Sequence, residues 1–160
     1  MRGTTHAGNV GTWAGVQGTM AGVTAWLGRL PLALLQLLFR LALTSVFMQA
    51  GLTKLASWPL TVQLFADEYQ VPVLPPELAA VCATTIELAC SSLLLVGLGT
   101  RLATLPLLGM LLTIQLCVYP HAYAEHLTWG ALLLFLRTRG PGAFALDPLL
   151  GWAPARECPE

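Results

Sequence analysis

The sequence predicts an all-α integral membrane protein, a four-helix bundle with both termini in the cytoplasm. Three observations carry that prediction. Of 160 residues, 56% are hydrophobic and 10% charged, against roughly 25% charged in a typical soluble domain. Four apolar runs follow one another, the longest with room for the roughly 20 helical residues that cross a bilayer. The basic residues are also segregated. Arg2, Arg29, Arg101, Arg137, Arg139 and Arg156 fall on the side that holds both termini and the loop between the second and third runs, with Lys54 alone opposite. Such a bias marks the cytoplasmic side. The formal net charge is zero and no basic cluster points to nucleic acid.

The elements follow in order. Residues 1–28 are expected to be a disordered leader, because the first nineteen are rich in Gly and Thr. They lack the apolar core of roughly 7–15 residues of a cleaved signal peptide, and Met20 is an alternative start. The membrane domain spans 29–150, and 151–160 is a C-terminal tail. Span one runs from about Leu30 to Leu52, with Pro31 tolerated in the first turn. The loop from Ala56 to Glu77 then faces outward. It offers Trp58 as an interface anchor, LTVQLFADEYQ as a short helix on the membrane, and the irregular VPVLPP. Span two, about Leu78 to Leu98, carries one charge, Glu87. Span three, about Leu102 to Val118, is interrupted by Pro106, and span four, about Ala122 to Leu136, opens with Glu125 and His126. Both are short, so a thinned or shielded position is expected. Gly140-Pro141-Gly142 ends the membrane part, and Asp147-Pro148 reads as the N-cap and first turn of a short terminal helix.

Charges inside the spans are the candidate functional groups. Arg40 keeps its charge, at a cost of at least roughly 2.5–3.5 kcal/mol at mid-bilayer. At about 100° per residue it shares a stripe with Gln36, Thr44, Phe47, Gly51 and Lys54. Glu87 shares its face with small residues, Ala80, Ala83, Thr84, Cys90 and Ser91, which favour close helix approach. Counted from the cytoplasmic ends, Arg40 and Glu87 lie at nearly equal depth, so an Arg40–Glu87 ion pair is expected. It serves either a ligand or only helix register. Gln115 and His126 belong to the outer third, and His121 and Glu125, four apart, are placed to pair at the outer surface. His121 and His126 are five apart, about 140° around a helix, and the four cysteines show no CxxC or metal-ligand spacing. No metal site is expected. His126 can exchange protons near neutral pH.

The phrases FRLALTSVFMQAGLTKL at 39–55, DEYQVPVLPPELAAVCATTIEL at 67–88, LLLVGLGTRLATLPLLGM at 93–110 and HLTWGALLLFLRTRGPGAFALD at 126–147 resemble the DoxX family of small bacterial membrane proteins. On that resemblance the family's first-span arginine corresponds to Arg40 and its Gly-x-x-Lys to Gly51 and Lys54. Its second-span glutamate corresponds to Glu87, and its Gly-x-x-Thr-Arg to Gly97, Thr100 and Arg101. The resemblance implies a four-helix protein of the bacterial inner membrane. Some relatives are subunits of thiosulfate:quinone oxidoreductases or other membrane redox complexes.

The leading expectation is therefore a membrane redox subunit that binds quinone or another small amphipathic ligand between its helices. Arg40, Glu87 and His126 would supply charge, hydrogen bonds and protons to the headgroup. Lys54 and Gln115 would line an opening in the outer half of the membrane, beside Gln49. With no thiol pair, haem motif or nucleotide fingerprint in the chain, electrons would have to be carried by quinone or a partner subunit. Membrane lipid and either a partner protein or a second copy are the expected partners. A non-catalytic anchor or assembly subunit is the alternative, and a small transporter a third reading.

Overall fold

The computed structural model describes residues 31–151, and among them there are helices and no strands. The expected leader and C-terminal tail lie outside the described residues. Helix α1 runs Leu32–Ala56. A short α2, Trp58–Leu64, continues into a wider π-helical turn at Phe65–Tyr69. Then come α3, Pro76–Val96, and α4, Thr100–Thr113, which also ends in a π-helical turn, Ile114–Val118. Helix α5 covers Tyr123–Arg139, and α6 is a single turn, Leu146–Leu149.

The four apolar runs are helices close to their expected bounds. Helices α1, α3 and α4 with its π-turn are long and apolar enough to cross a membrane, whereas α5 has 17 residues. Pro75 and Pro76 start α3, as first-turn prolines can. Gly97, at φ +76°, ends it in the left-handed conformation that glycine adopts without strain. The expected short helix is present as α2 and its π-turn, and residues 70–75 are irregular.

Each long helix contributes a stripe to one core. Leu43 and Phe47 come from α1, Cys90 and Leu94 from α3, Ala103, Leu107 and Leu111 from α4, and Leu133 and Leu136 from α5. The spacings of three and four residues put each set on one helix face. Edge-to-face aromatic pairs, Phe39–Phe135 at 5.2 Å and Phe47–Trp129 at 6.2 Å, join α1 to α5. The outward faces carry exposed leucines on every long helix, among them Leu38, Leu95, Leu102 and Leu127. In water so much apolar surface would be an aggregation liability, whereas in a bilayer it is the ordinary lipid-facing surface. Trp58, expected as an interface anchor, packs with Val62 against Phe65, Ala79 and Ala80, a second small core that fastens α2 to α3.

Candidate functional site

Helix α3 runs antiparallel to α1, as shown by Thr44 against Ser91 and Lys54 against Glu87. Side chains on a helix lean toward its N-terminus. On antiparallel neighbours they therefore lean in opposite directions, and this decides which charges meet. Arg40 leans toward the Gly97–Gly99 turn. There its Nε donates to the Leu94 carbonyl at 2.8 Å and its Nη2 to Leu95 at 2.7 Å. Its Nη1 donates to Phe144 at 2.8 Å and Pro141 at 3.3 Å. Leu94 and Leu95 hold two of the last carbonyls of α3, which have no acceptor role within the helix. The guanidinium caps that helix end from outside and meets the negative end of its dipole.

The expected Arg40–Glu87 pair is not formed. Equal depth of the two backbones misled, because Glu87 leans away from the turn while Arg40 leans into it. The end occupied by Arg40 is closed from the other side as well. Asp147 does not cap the terminal helix as expected, since that helix starts after Ala145. Its carboxylate accepts instead from the backbone N–H of Gly99 at 2.6 Å and of Thr100 at 3.0 Å, capping α4 from a distance. Asp147 is also the acidic group whose field reaches Arg40. Gln36 donates to the carbonyls of Arg139 and Gly140, at 3.2 and 3.1 Å. A side chain at Gly97 would have its Cβ 2.8 Å from Arg40 Nη2 and 2.5 Å from Ala145 Cβ.

The opposite end is built differently. Lys54 leans back along α1 and Glu87 back along α3, so the two meet. Nζ lies 2.6 Å from Oε1 and 2.9 Å from Oε2. Gly51 allows the approach, since a Cβ there would lie 2.7 Å from Leu88 Cδ2 and 3.2 Å from Glu87 Cβ. Thr61 of α2 holds the end of α1 by donating to the Lys54 carbonyl at 3.0 Å. Lys54 is turned inward, with 20% of its side chain exposed against 4% for Glu87.

This pair lines a cavity of about 370 Å³ between α3, α4 and the segment 65–74. The remaining walls are mostly apolar, with Phe65, Ile86, Met110, Ile114 and Val118 prominent, and Pro106 and Gly109 expose the flank of α4. Two tyrosines from the facing π-turn regions complete it: the rings of Tyr69 and Tyr119 lie 5.8 Å apart. Tyr119 donates to Glu68 Oε1 at 2.8 Å, and this bond to a carboxylate holds its phenol proton above the ordinary tyrosine range. Among the described residues, Lys54 and Glu87 are the only charged ones lining the cavity. An ammonium has three protons to donate. Two go to Glu87, and the third has no acceptor among the described residues.

Gln115 and His126 do find each other, at 2.7 Å between Oε1 and Nδ1. They do so on the side of α4 that faces α5, and neither lines the cavity. The His126 ring sits 5.7 Å from Trp129, and Gln115 spends its amide on the Pro120 carbonyl at 2.8 Å. His126, expected to supply protons to a headgroup beside Arg40 and Glu87, is paired with Gln115. His121 and Glu125 are exposed and form no ion pair, and Gln49 is exposed on α1. Sequence reasoning did not single out Phe65, Tyr69 or Tyr119. The available signal was the aromatic content of 65–69 on a short helix ahead of a proline-rich turn, which reads as a wall only once α2 is folded against α3.

A family model, DoxX, matches residues 35–120, more than half of the chain. The chain belongs to the DoxX family of membrane proteins. The match takes in α1 through the π-turn after α4, and so both members of the Lys54–Glu87 pair. No curated protein and no solved structure matches the chain.

Proposed function

From its membership in the DoxX family we propose that the chain is a binding subunit of a bacterial inner-membrane redox system, holding a small amphipathic molecule of quinone type. The ligand occupies the cavity between α3 and α4 with its carbonyl head at Lys54. The observation that carries this reading is an apolar cavity whose polar contribution comes chiefly from one ion pair with a donor to spare. Its volume lies within the usual range for ligand sites, roughly 300–1,000 Å³. Arg40 and His126 are engaged in holding helix ends and helix faces, so this chain's part is binding and positioning. Electron transfer falls to the ligand and a partner subunit.

In the same reading all four long helices cross the membrane. Arg101, Arg137 and Arg139 lie with the Gly97–Gly99 turn in the cytoplasm, and the 56–77 segment lies outside. Helix α5 is only about 25 Å long at 1.5 Å per residue, which suits a locally thinned bilayer. In a cysteine-free background, an impermeant thiol reagent applied to intact cells should label a cysteine at Asp67 and spare one at Thr138. The reverse pattern contradicts the topology.

The binding reading is tested with a photoreactive quinone analogue on the protein in lipid nanodiscs. Cross-links are expected in peptides covering 65–87 and 106–119, lost in Lys54→Gln/Glu87→Gln and kept in His126→Ala. Uniform labelling of lipid-facing leucines, unchanged by the double variant, contradicts it. The second reading, a non-catalytic anchor, draws on the saturation of Arg40, Asp147 and Gln36 by backbone groups. It predicts a co-purifying partner and no cavity labelling.

A further inference from the structure

The cavity's charge pattern says more than that it holds a ligand. Both charged groups that line it are bound to one another, so the site is neutral before anything enters. Glu87 is nearly fully buried and both of its oxygens are taken by Nζ. Lys54 is less buried and keeps one N–H without an acceptor among the described residues. The pair thus offers an incoming head one proton of Lys54 beside a carboxylate whose charge is already cancelled.

From this we propose that the cavity selects by charge. It takes amphiphiles whose head is a neutral hydrogen-bond acceptor and rejects those whose head is ionised. Lys54 is the residue that touches the ligand, and Glu87 is a positioning residue that fixes the ammonium and cancels its charge. This inference rests on the reading of the cavity as a ligand site. A neutral carbonyl entering the cavity needs one donor, which Lys54 supplies, and its desolvation is offset by that bond. A carboxylate would bring a net negative charge into an apolar cavity where the nearest cation is already neutralised. Such uncompensated burial is far more costly than burying a neutral acceptor. A long-chain ammonium fails for the mirror reason, because it would bring a net positive charge beside an anion that Lys54 already neutralises.

The test compares three probes of equal chain length, each with a mid-chain diazirine: a methyl ketone, the carboxylate isosteric with it, and a primary ammonium. Each is photolysed with the full-length protein in neutral-lipid nanodiscs, and cross-links at 65–87 and 106–119 are quantified by mass spectrometry. For the wild type the ketone is expected to label roughly tenfold or more above either ion, at equal concentration in the bilayer. Glu87→Gln leaves Lys54 cationic and should raise carboxylate labelling to at least that of the ketone. Lys54→Met removes the donor and should abolish the ketone advantage. The wild-type ratio decides the matter even if one variant fails to fold. Equal cavity labelling by ketone and carboxylate in the wild type overturns the charge rule and leaves the binding site standing, as does a ratio unmoved by both substitutions. Absence of cavity labelling by all three probes overturns the ligand reading itself, and the charge rule with it.

Discussion

The two ends of this bundle handle buried charge in opposite ways. At the Gly97–Gly99 end, Arg40 and Asp147 are answered by backbone groups: four carbonyls for the arginine and two N–H groups for the aspartate. Both close helix ends that an apolar surrounding would otherwise leave unsatisfied. At the Lys54–Glu87 end, side chain answers side chain, one donor is left over, and a cavity adjoins it. Charge is thus a structural cap at one end and a candidate recognition element at the other. A charged residue in an apolar helix is assigned to function by what satisfies it, not by its presence.

That contrast can be broken by substitution. The largest effect is expected for Arg40→Met. It strips a charged donor from several buried carbonyls, at roughly 1–3 kcal/mol each, and should lower unfolding free energy in mixed micelles by about 3–5 kcal/mol. Cavity labelling per folded molecule should be unchanged. Loss of labelling in folded Arg40→Met protein would join the two ends into one site and undo the comparison. Asp147→Ala should have an intermediate effect, about 1–2 kcal/mol, as for other lost helix caps. Asp147→Asn, which keeps an acceptor, should lose less.

The smallest effect is at the rim of the cavity. Tyr119 donates to Glu68, so its proton is held above the ordinary phenol range while the pair exists. A raised folded-state value gives a contribution that is present below about pH 10, the unfolded tyrosine value. It is lost as pH climbs through the higher folded value. Tyr119 is 41% exposed, so the contribution is slight. Ultraviolet titration should find one of the three tyrosines ionising last. Glu68→Gln should bring that step down. An unchanged titration would mean that the rim contact does not persist in solution.

Much of the fold was legible because membrane helices announce themselves by apolar length, and because Pro76, Gly97 and Gly140 sit where helices start and stop. The candidate site was legible only in part. The sequence singles out Lys54 and Glu87 as residues, but shared inward faces and equal backbone depth match Glu87 to Arg40. The lean of side chains toward each helix N-terminus would have separated them and brought Lys54 in. The partners of Arg40 were invisible for a different reason: they are backbone carbonyls, which carry no residue identity. Asp147 was read as a local cap because sequence shows only the helix that follows it, whereas the helix it caps begins 47 residues earlier, at Thr100. The tyrosines at the rim depend on α2 folding back on α3, a tertiary event without a periodic signature.

The central claim is that buried charge in this protein is divided between two independent ends, and a pair of double-mutant cycles in mixed micelles tests it most directly. One cycle joins Lys54→Met with Glu87→Leu, the other Arg40→Met with Glu87→Leu. Residues in direct contact couple by roughly 0.5–3 kcal/mol, whereas those with no shared partner add within about 0.3–0.5 kcal/mol. Clear coupling is expected in the first cycle, with the double variant less damaged than the summed singles, and additivity in the second. Coupling between Arg40 and Glu87 as large as that between Lys54 and Glu87 would contradict it.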